Sequence, residues 1–541
     1  MSVKLRVAGI ILSLSALGGL ILLIARPNLD PARILPLALV GGAWIAFGCA
    51  AWLLRKVTLK LAVGLILVGG IAFQVIAFSG PPQNSSDLYR YIWDGRVQAA
   101  GIDPYLYPPA DAGVAKLRND FLWSGTGHGH YADCMATNKI STTDPADSVI
   151  AGCTKLNRPL VPTIYPPVAE AYFYAVQEIA PADNSTTPIQ AAAAAFAVLV
   201  TVILLVGLRG LGKDPRLAAL WAWCPTAILE AGQDAHVDVV AVAFTLVALL
   251  VLARARTEGR TALGGVLLGL AIATKMTPVL VVPAVLRRGW ALITVSAAAA
   301  ISLVYAPHVL AVGRKVIGFL PGYLHQQGYS TGTGFAVIGE FVHGKLTTAV
   351  AVVILAAVAL AILKFGDPDE PWRGSVLMTA AALVVATPDY QWYAILLVML
   401  VALDGRPEWL AIAAGGYLTN DPNLHVLGIA IHKTNLVGYG GGAAIACACA
   451  LIRYLITTRT ADRDELAPVI GASRVEATDS APVAVTAATA VDEPVTEPVI
   501  EPTAVYVKPA ISVTIGTDGS PAFLSGDVDA PESAADSGAR P

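Results

Sequence analysis

Apolar runs of about 20 residues recur along the chain, at about 5–25, 34–54, 60–79, 189–208, 237–253, 289–308, 347–363 and 435–456. Each has the length one helix needs to cross a hydrocarbon core. Inside such a core every backbone N–H and C=O must be bonded within its own segment, so these runs are expected to be helices. Shorter or interrupted runs lie at about 217–229, 262–274, 276–286, 374–387, 391–403 and 408–418. Together they bring the expectation to about 12–14 transmembrane helices. No alternating strand pattern competes. Of the 541 residues 14% are charged and 55% hydrophobic, with a mean hydropathy of +0.64. A soluble chain carries about 25% charged residues, so most of this surface must face lipid. The expected fold class is an all-α polytopic membrane protein. No aromatic-basic interleaving suggests a nucleic-acid partner.

The first run opens with Lys4 and Arg6 and reaches Ile24 with no small-x-small pattern before Arg26-Pro27. It is expected to be a retained helix rather than a cleaved leader. Basic connections recur at Arg55-Lys56 with Lys60, at Arg209, Lys213 and Arg216, at Arg254, Arg256 and Arg260, at Arg287-Arg288, and at Arg453 with Arg459. Threading the runs puts all of them on one side, expected to be the cytoplasm. Both termini then lie inside, and the long loop at 80–188 faces outward. All eight histidines thread to that outer side. Residues 1–459 are expected to form the multi-span domain. Residues 460–541, rich in Ala, Val, Thr, Pro, Glu and Asp, are expected to be a disordered cytoplasmic tail. Cys49, Cys224, Cys447 and Cys449 sit in apolar runs and read as packing residues. Cys134 and Cys153 share the long loop and would pair if it faces an oxidising compartment.

Polar residues gather at the outer connections. In Asp87-Leu88-Tyr89-Arg90-Tyr91-Ile92-Trp93-Asp94-Gly95-Arg96, the residues Asp87, Arg90 and Asp94 share one helical face. They offer carboxylates and a cation at the membrane surface, or they pair with one another. The loop ends in Tyr165-Pro166-Pro167, whose prolines direct Tyr165 and Glu170 back toward the spans. Glu230, Asp234, His236 and Asp238 crowd one connection. A hydrogen-bonded anchor and a substrate contact are the readings preferred there over a metal site, which wants three converging ligands. Lys275 interrupts an apolar stretch at the apex of two short helices, where it either snorkels to the interface or meets a phosphate. Arg314 and His325 accompany aromatic residues in a further connection, and Tyr393 closes the motif Pro388-Asp389-Tyr390-Gln391-Trp392-Tyr393.

These motifs, with Gly101-Ile102-Asp103-Pro104-Tyr105, together resemble the GT-C membrane glycosyltransferases over about residues 60–410. The nearest likeness is to the actinobacterial polyprenyl-phosphomannose-dependent mannosyltransferases, including the family 87 group. The resemblance implies a metal-independent inverting transfer with a catalytic Asp in the first large external loop. Here that residue is Asp87, with Asp94 as its rival. Arg90, Arg96, Tyr165, His236, Asp238, Lys275, Arg314, His325 and Tyr393 are the expected substrate-binding residues, with Lys275 and Arg314 on the phosphate. Such enzymes carry this loop after their first span, whereas here it follows the third, so the first two spans read as an added hairpin. The implied partners are a polyprenyl-phosphate sugar, a glycolipid or glycan acceptor and membrane lipid, with no cofactor. The competing class is a transporter or flippase, which broken helices also suit. It would show a midplane charged site and an internal repeat, and the charges here gather at one end instead.

Overall fold

The computed structural model describes residues 3–26, 35–123, 153–181, 184–419, 424, 428–430 and 433–472. Of the expected tail at 460–541, the residues up to Ala472 continue the helix Gly441–Ala472 rather than being irregular; the rest of the tail, Cys134, and the histidines at 128, 130, 425 and 432 lie outside the described residues. The chain divides into two compact units, Met1–Ala467 and Pro468–Pro541.

The regular structure among the described residues is helical, and the one β-pairing among them is an isolated bridge between Trp123 and Thr154. The long runs become α1 (Val3–Ile24), α2 (Leu35–Leu54) and α3 (Leu59–Phe78). Two shorter helices follow, α4 (Asp87–Ala99) and α5 (Pro167–Ile179), before α6 (Thr187–Gly210). Next come α7 (Asp238–Ala253), α8 (Glu258–Ile272), α9 (Trp290–Val312) and α10 (Leu320–Gln326). The series closes with α11 (Lys345–Phe365), α12 (Pro371–Ala386), α13 (Ile395–Asp404) and α14 (Gly441–Ala472).

Among the described residues seven helical runs are long and apolar enough to cross a membrane. They leave large apolar side chains bare, among them Leu12, Leu303 and Leu310 at 73%, 75% and 87% exposure. Such surface is stable only against lipid, which makes this a multi-pass membrane protein. The remaining expected spans are shorter pieces. Residues 217–229 divide at Pro225 and end in a π-helical turn, Leu229–Gln233. Residues 276–286 become short turns around Pro278 and Pro283. Proline supplies no N–H and clashes with the preceding turn, so neither run stays one helix. In α13 every residue is buried, and it packs on α7 and α12 as a central helix rather than a lipid-facing one.

The bundle has two chemically distinct ends. At one, Arg216 donates to the Val57 carbonyl at 2.6 and 3.0 Å and Lys213 to the Leu403 carbonyl at 2.9 Å. At the same end Arg288 donates to the carbonyls of Ala255 and Pro368 at 3.1 and 3.0 Å. The arginines and lysines thus cap the helix ends they join. At the other end α4 lies against α5. Gly95 allows this approach, since a Cβ there would stand 2.5 Å from the Phe173 carbonyl oxygen.

Candidate active site

The end opposite the basic connections holds a cavity of about 520 Å³. Its walls come from the start of α4, the segment 157–166, the turn at 275–277, α10, the end of α12, and Tyr390, Trp392 and Tyr393.

Asp87 is the first residue of α4, and its backbone N–H is taken by the Ser85 hydroxyl at 3.1 Å. Its carboxylate accepts a hydrogen bond from the Asn157 side-chain amide, and Oδ2 stands 4.0 Å from Nδ1 of His236. His236 is fully buried, stacked on Trp392 at 4.0 Å between ring centres. Burial pushes its imidazole down to about 4, so the ring is neutral at neutral pH. Trp392 stacks in turn on Tyr390 at 4.3 Å. Lys275 Nζ meets Asp238 Oδ2 at 3.1 Å and lies 5.3 Å from the centre of the Tyr165 ring. The Tyr393 hydroxyl bonds the Tyr323 hydroxyl at 2.5 Å. A cavity thus joins a carboxylate, an ammonium and an aromatic platform, while Leu280, Leu320 and Leu383 make an apolar wall.

The expected site residues divide. Asp87, Arg90, Tyr165, Lys275 and Tyr393 line the cavity, with His236 and Asp238 held directly behind. Asp94 does not line it. It is buried two turns along α4, where its two oxygens accept from Nε of Arg90 at 2.9 and 3.0 Å. Arg90 also donates to the Val161 carbonyl at 3.1 Å. Burial raises the Asp94 carboxyl against the lowering effect of Arg90. Burial likewise raises Glu170 well above the ordinary range, helped by Asp94. Glu170 accepts from the Thr163 hydroxyl at 2.7 Å and from the Gln98 amide at 2.9 Å, so this carboxyl pair reads as an internal brace. Arg96 reaches Asn184 at 3.4 Å at the far end of α4.

Arg314 is exposed and absent from the cavity wall. It sits on a turn bounded by Gly313 and Gly318, both at positive φ. A Cβ on Gly318 would stand 1.8 Å from the Thr163 carbonyl oxygen, so only glycine lets the chain press there. That approach delivers Phe319 and Tyr323 to the cavity in place of Arg314. His325 is exposed too, bonding the Ser330 hydroxyl at 2.8 Å.

Two contributors went unread in the sequence. Asn157 orients Asp87, and Arg158 lines the cavity, donating to Gln326 Oε1 at 3.1 Å with its guanidinium 5.5 Å from the Tyr323 ring centre. Nothing local marks them; their importance comes from the return of the long loop onto α4 and α10. Tyr105 shows its role only in three dimensions as well, its hydroxyl donating to the Tyr165 carbonyl at 2.6 Å. Cys153 is disulfide-bonded.

No curated protein matches the chain. Residues 163–388 match the model of glycosyltransferase family 87, a shorter stretch than 60–410 that contains Tyr165, His236, Asp238 and Lys275 but not Asp87 or Trp392. This match relates the chain to glycosyltransferase family 87 and supports reading it as a glycosyltransferase.

Proposed function

We propose that the chain is an inverting transferase that moves a sugar, mannose in our reading, from a polyprenyl-phosphate donor to a hydroxyl of a cell-envelope glycolipid or glycan. The reaction takes place on the external face of the plasma membrane, with both termini in the cytoplasm. The observation that carries this reading is that Asp87 and Lys275 line one cavity whose remaining wall is largely apolar. A lipid-linked donor needs that combination: a carboxylate for the incoming hydroxyl, a cation for the departing phosphate, and an apolar flank for the first prenyl units.

In this reaction the acceptor oxygen forms its bond to the anomeric carbon while the bond from that carbon to the phosphate oxygen breaks. The acceptor proton passes to Asp87, and the bonding pair leaves with polyprenyl phosphate. Because the leaving group is already a phosphate, no strong acid is required, and the general base is the principal demand. Asn157 holds one oxygen of Asp87 and leaves the other for the acceptor. Lys275 and Arg158 are the cations suited to the phosphate, an electrostatic role that gains strength where water is excluded. Asp238 holds Lys275 in place before the donor arrives. Tyr390 and Tyr393 offer faces on which a sugar ring can stack, with Trp392 backing Tyr390.

The test uses purified protein with labelled polyprenyl-phosphate sugars and an acceptor extract. Donor consumption is expected, and Asp87→Asn should lower turnover by about 100-fold or more while eluting as a folded species. If Asp87→Asn turns over like wild type, the base is another residue. If no polyprenyl-phosphate sugar is consumed, the donor class is wrong.

A further inference from the structure

Behind the cavity, Glu230, Asp234 and His236 come together on the π-helical turn Leu229–Gln233 and the connection that follows it. All three are fully buried. Each offers one ligand atom, and these atoms lie within 4.8 Å of one another. The two carboxylates are each half satisfied. Glu230 Oε1 accepts from the Tyr417 hydroxyl at 2.8 Å, and Asp234 Oδ1 accepts from the backbone N–H groups of Gln83 and Asn84 at 2.7 and 3.3 Å. The second oxygen of each, Glu230 Oε2 and Asp234 Oδ2, is buried with no hydrogen-bond partner, as are both ring nitrogens of His236. The separation between His236 Nε2 and Glu230 Oε2, 3.7 Å, is too long for a hydrogen bond.

Leaving so many buried polar atoms bare costs free energy at every one of them. The pattern of satisfaction is also particular. On each carboxylate one oxygen is fixed by a neighbour while the other has no hydrogen-bond partner, and Glu230 Oε2 faces the imidazole, which is stacked on Trp392. Outer partners that orient first ligands in this way are the usual surroundings of a bound cation.

We propose that Glu230, Asp234 and His236 bind a divalent first-row transition cation, zinc or manganese, and that this site fixes His236 behind Asp87. One imidazole with two carboxylates suits these ions better than magnesium, which prefers oxygen ligands and keeps its water. Bonds of about 2 Å would draw the three atoms closer than they stand without the ion. A cation on Nε2 puts the ring proton on Nδ1, the nitrogen facing Asp87 at 4.0 Å. The ion stays one imidazole away from the reacting atoms, so the transfer itself needs no metal bond to substrate. In the sequence a metal is the less favoured reading here, because the His236-x-Asp238 pair needs further converging ligands that only loops elsewhere are expected to supply. The π-helical turn supplies Glu230 and Asp234 as the companions, and Asp238 goes to Lys275 instead.

The test needs no turnover. Untagged full-length protein in detergent is stripped with chelator, desalted and incubated with zinc or manganese chloride. Bound metal is then measured by mass spectrometry after gel filtration, beside the melting temperature. Wild type should retain stoichiometric metal and melt several degrees higher with it. Glu230→Gln with Asp234→Asn, and separately His236→Gln, should lose both effects. Tyr417→Phe keeps all three ligands and should weaken binding by about 10- to 100-fold, so the proposal remains testable if the ligand variants do not fold. Wild type that binds neither cation and shows no melting shift overturns the site. So does undiminished metal in the folded ligand variants, which would place the ion elsewhere.

Discussion

At the scale of single residues, the three charges that share a face of α4 do different work. Asp87 opens on the cavity, whereas Arg90 and Asp94 are tied to each other, at 4% and 1% exposure. Replacing Asp94 with Asn leaves the Arg90 charge buried without its counter-ion. A loss of about 3–5 kcal/mol is expected, read as a large fall in melting temperature, while Asp87→Asn should leave that temperature near wild type. Glu170 behaves differently, because burial holds its carboxyl well above the ordinary glutamate range. The folded state then binds the proton more tightly than the unfolded chain. Its stabilising effect is complete below the ordinary glutamate value and is lost as pH rises through the elevated one. Glu170→Gln keeps the shape without the charge, so its melting temperature should gain on wild type as pH rises. A difference that stays flat with pH would show that Glu170 is ionised in the fold. The helical spacing of Asp87, Arg90 and Asp94 was legible in the sequence. Which of them faces the cavity was not, since that depends on Val161 and Glu170 arriving from the far side of the long loop.

At the scale of elements, the site is built from helix ends and broken helices. Asp87 starts α4, Asp238 starts α7, and Lys275 follows α8. Each position is a point where the main chain leaves a regular helix and a polar side chain can be held without interrupting an apolar face. The pairing of α4 with α5 sets the direction of Asp87. Gly95→Ala would put a methyl group 2.5 Å from the Phe173 carbonyl oxygen and push the two helices apart. A loss of about 1–3 kcal/mol is expected, together with reduced transfer, because the displaced helix carries Asp87, the proposed base. Wild-type melting and turnover in Gly95→Ala would mean that the two helices can slide freely. The breaks at Pro225, Pro278 and Pro283 follow from proline chemistry, whereas the π-helical turn Leu229–Gln233 holds only Gly232, which does not by itself tell a π turn from an α-helical one.

At the scale of the whole molecule, the basic connections hold one end and the cavity the other. With exposed Cys49, Cys447 and Cys449 replaced by serine, Asn84→Cys and Met276→Cys should react with an impermeant maleimide from the same side of the membrane. Arg256→Cys, 69% exposed among the basic connections, should react only from the other. Labelling of Asn84→Cys and Met276→Cys from opposite sides would end the proposed function. In sealed cells the first two should be reached from outside.

The sequence by itself determined the solvent of this chain: runs of some 20 apolar residues admit no other surroundings than lipid and, in lipid, no other backbone than a helix. It also determined which residues were costly enough to carry chemistry, because a lysine or carboxylate beside such runs must find a partner. The tertiary structure alone decided who the partners are. Lys275 meets Asp238 across 37 positions of sequence, Asp87 meets Asn157 across 70, and Arg158 meets Gln326 across 168. Apolar periodicity records only which side of a helix is buried, and in a bundle surrounded by lipid nearly every side is apolar. The packing order of the helices, and with it the position of Arg314 outside the cavity and Arg158 within it, is therefore set by close approaches such as Gly95 and Gly318.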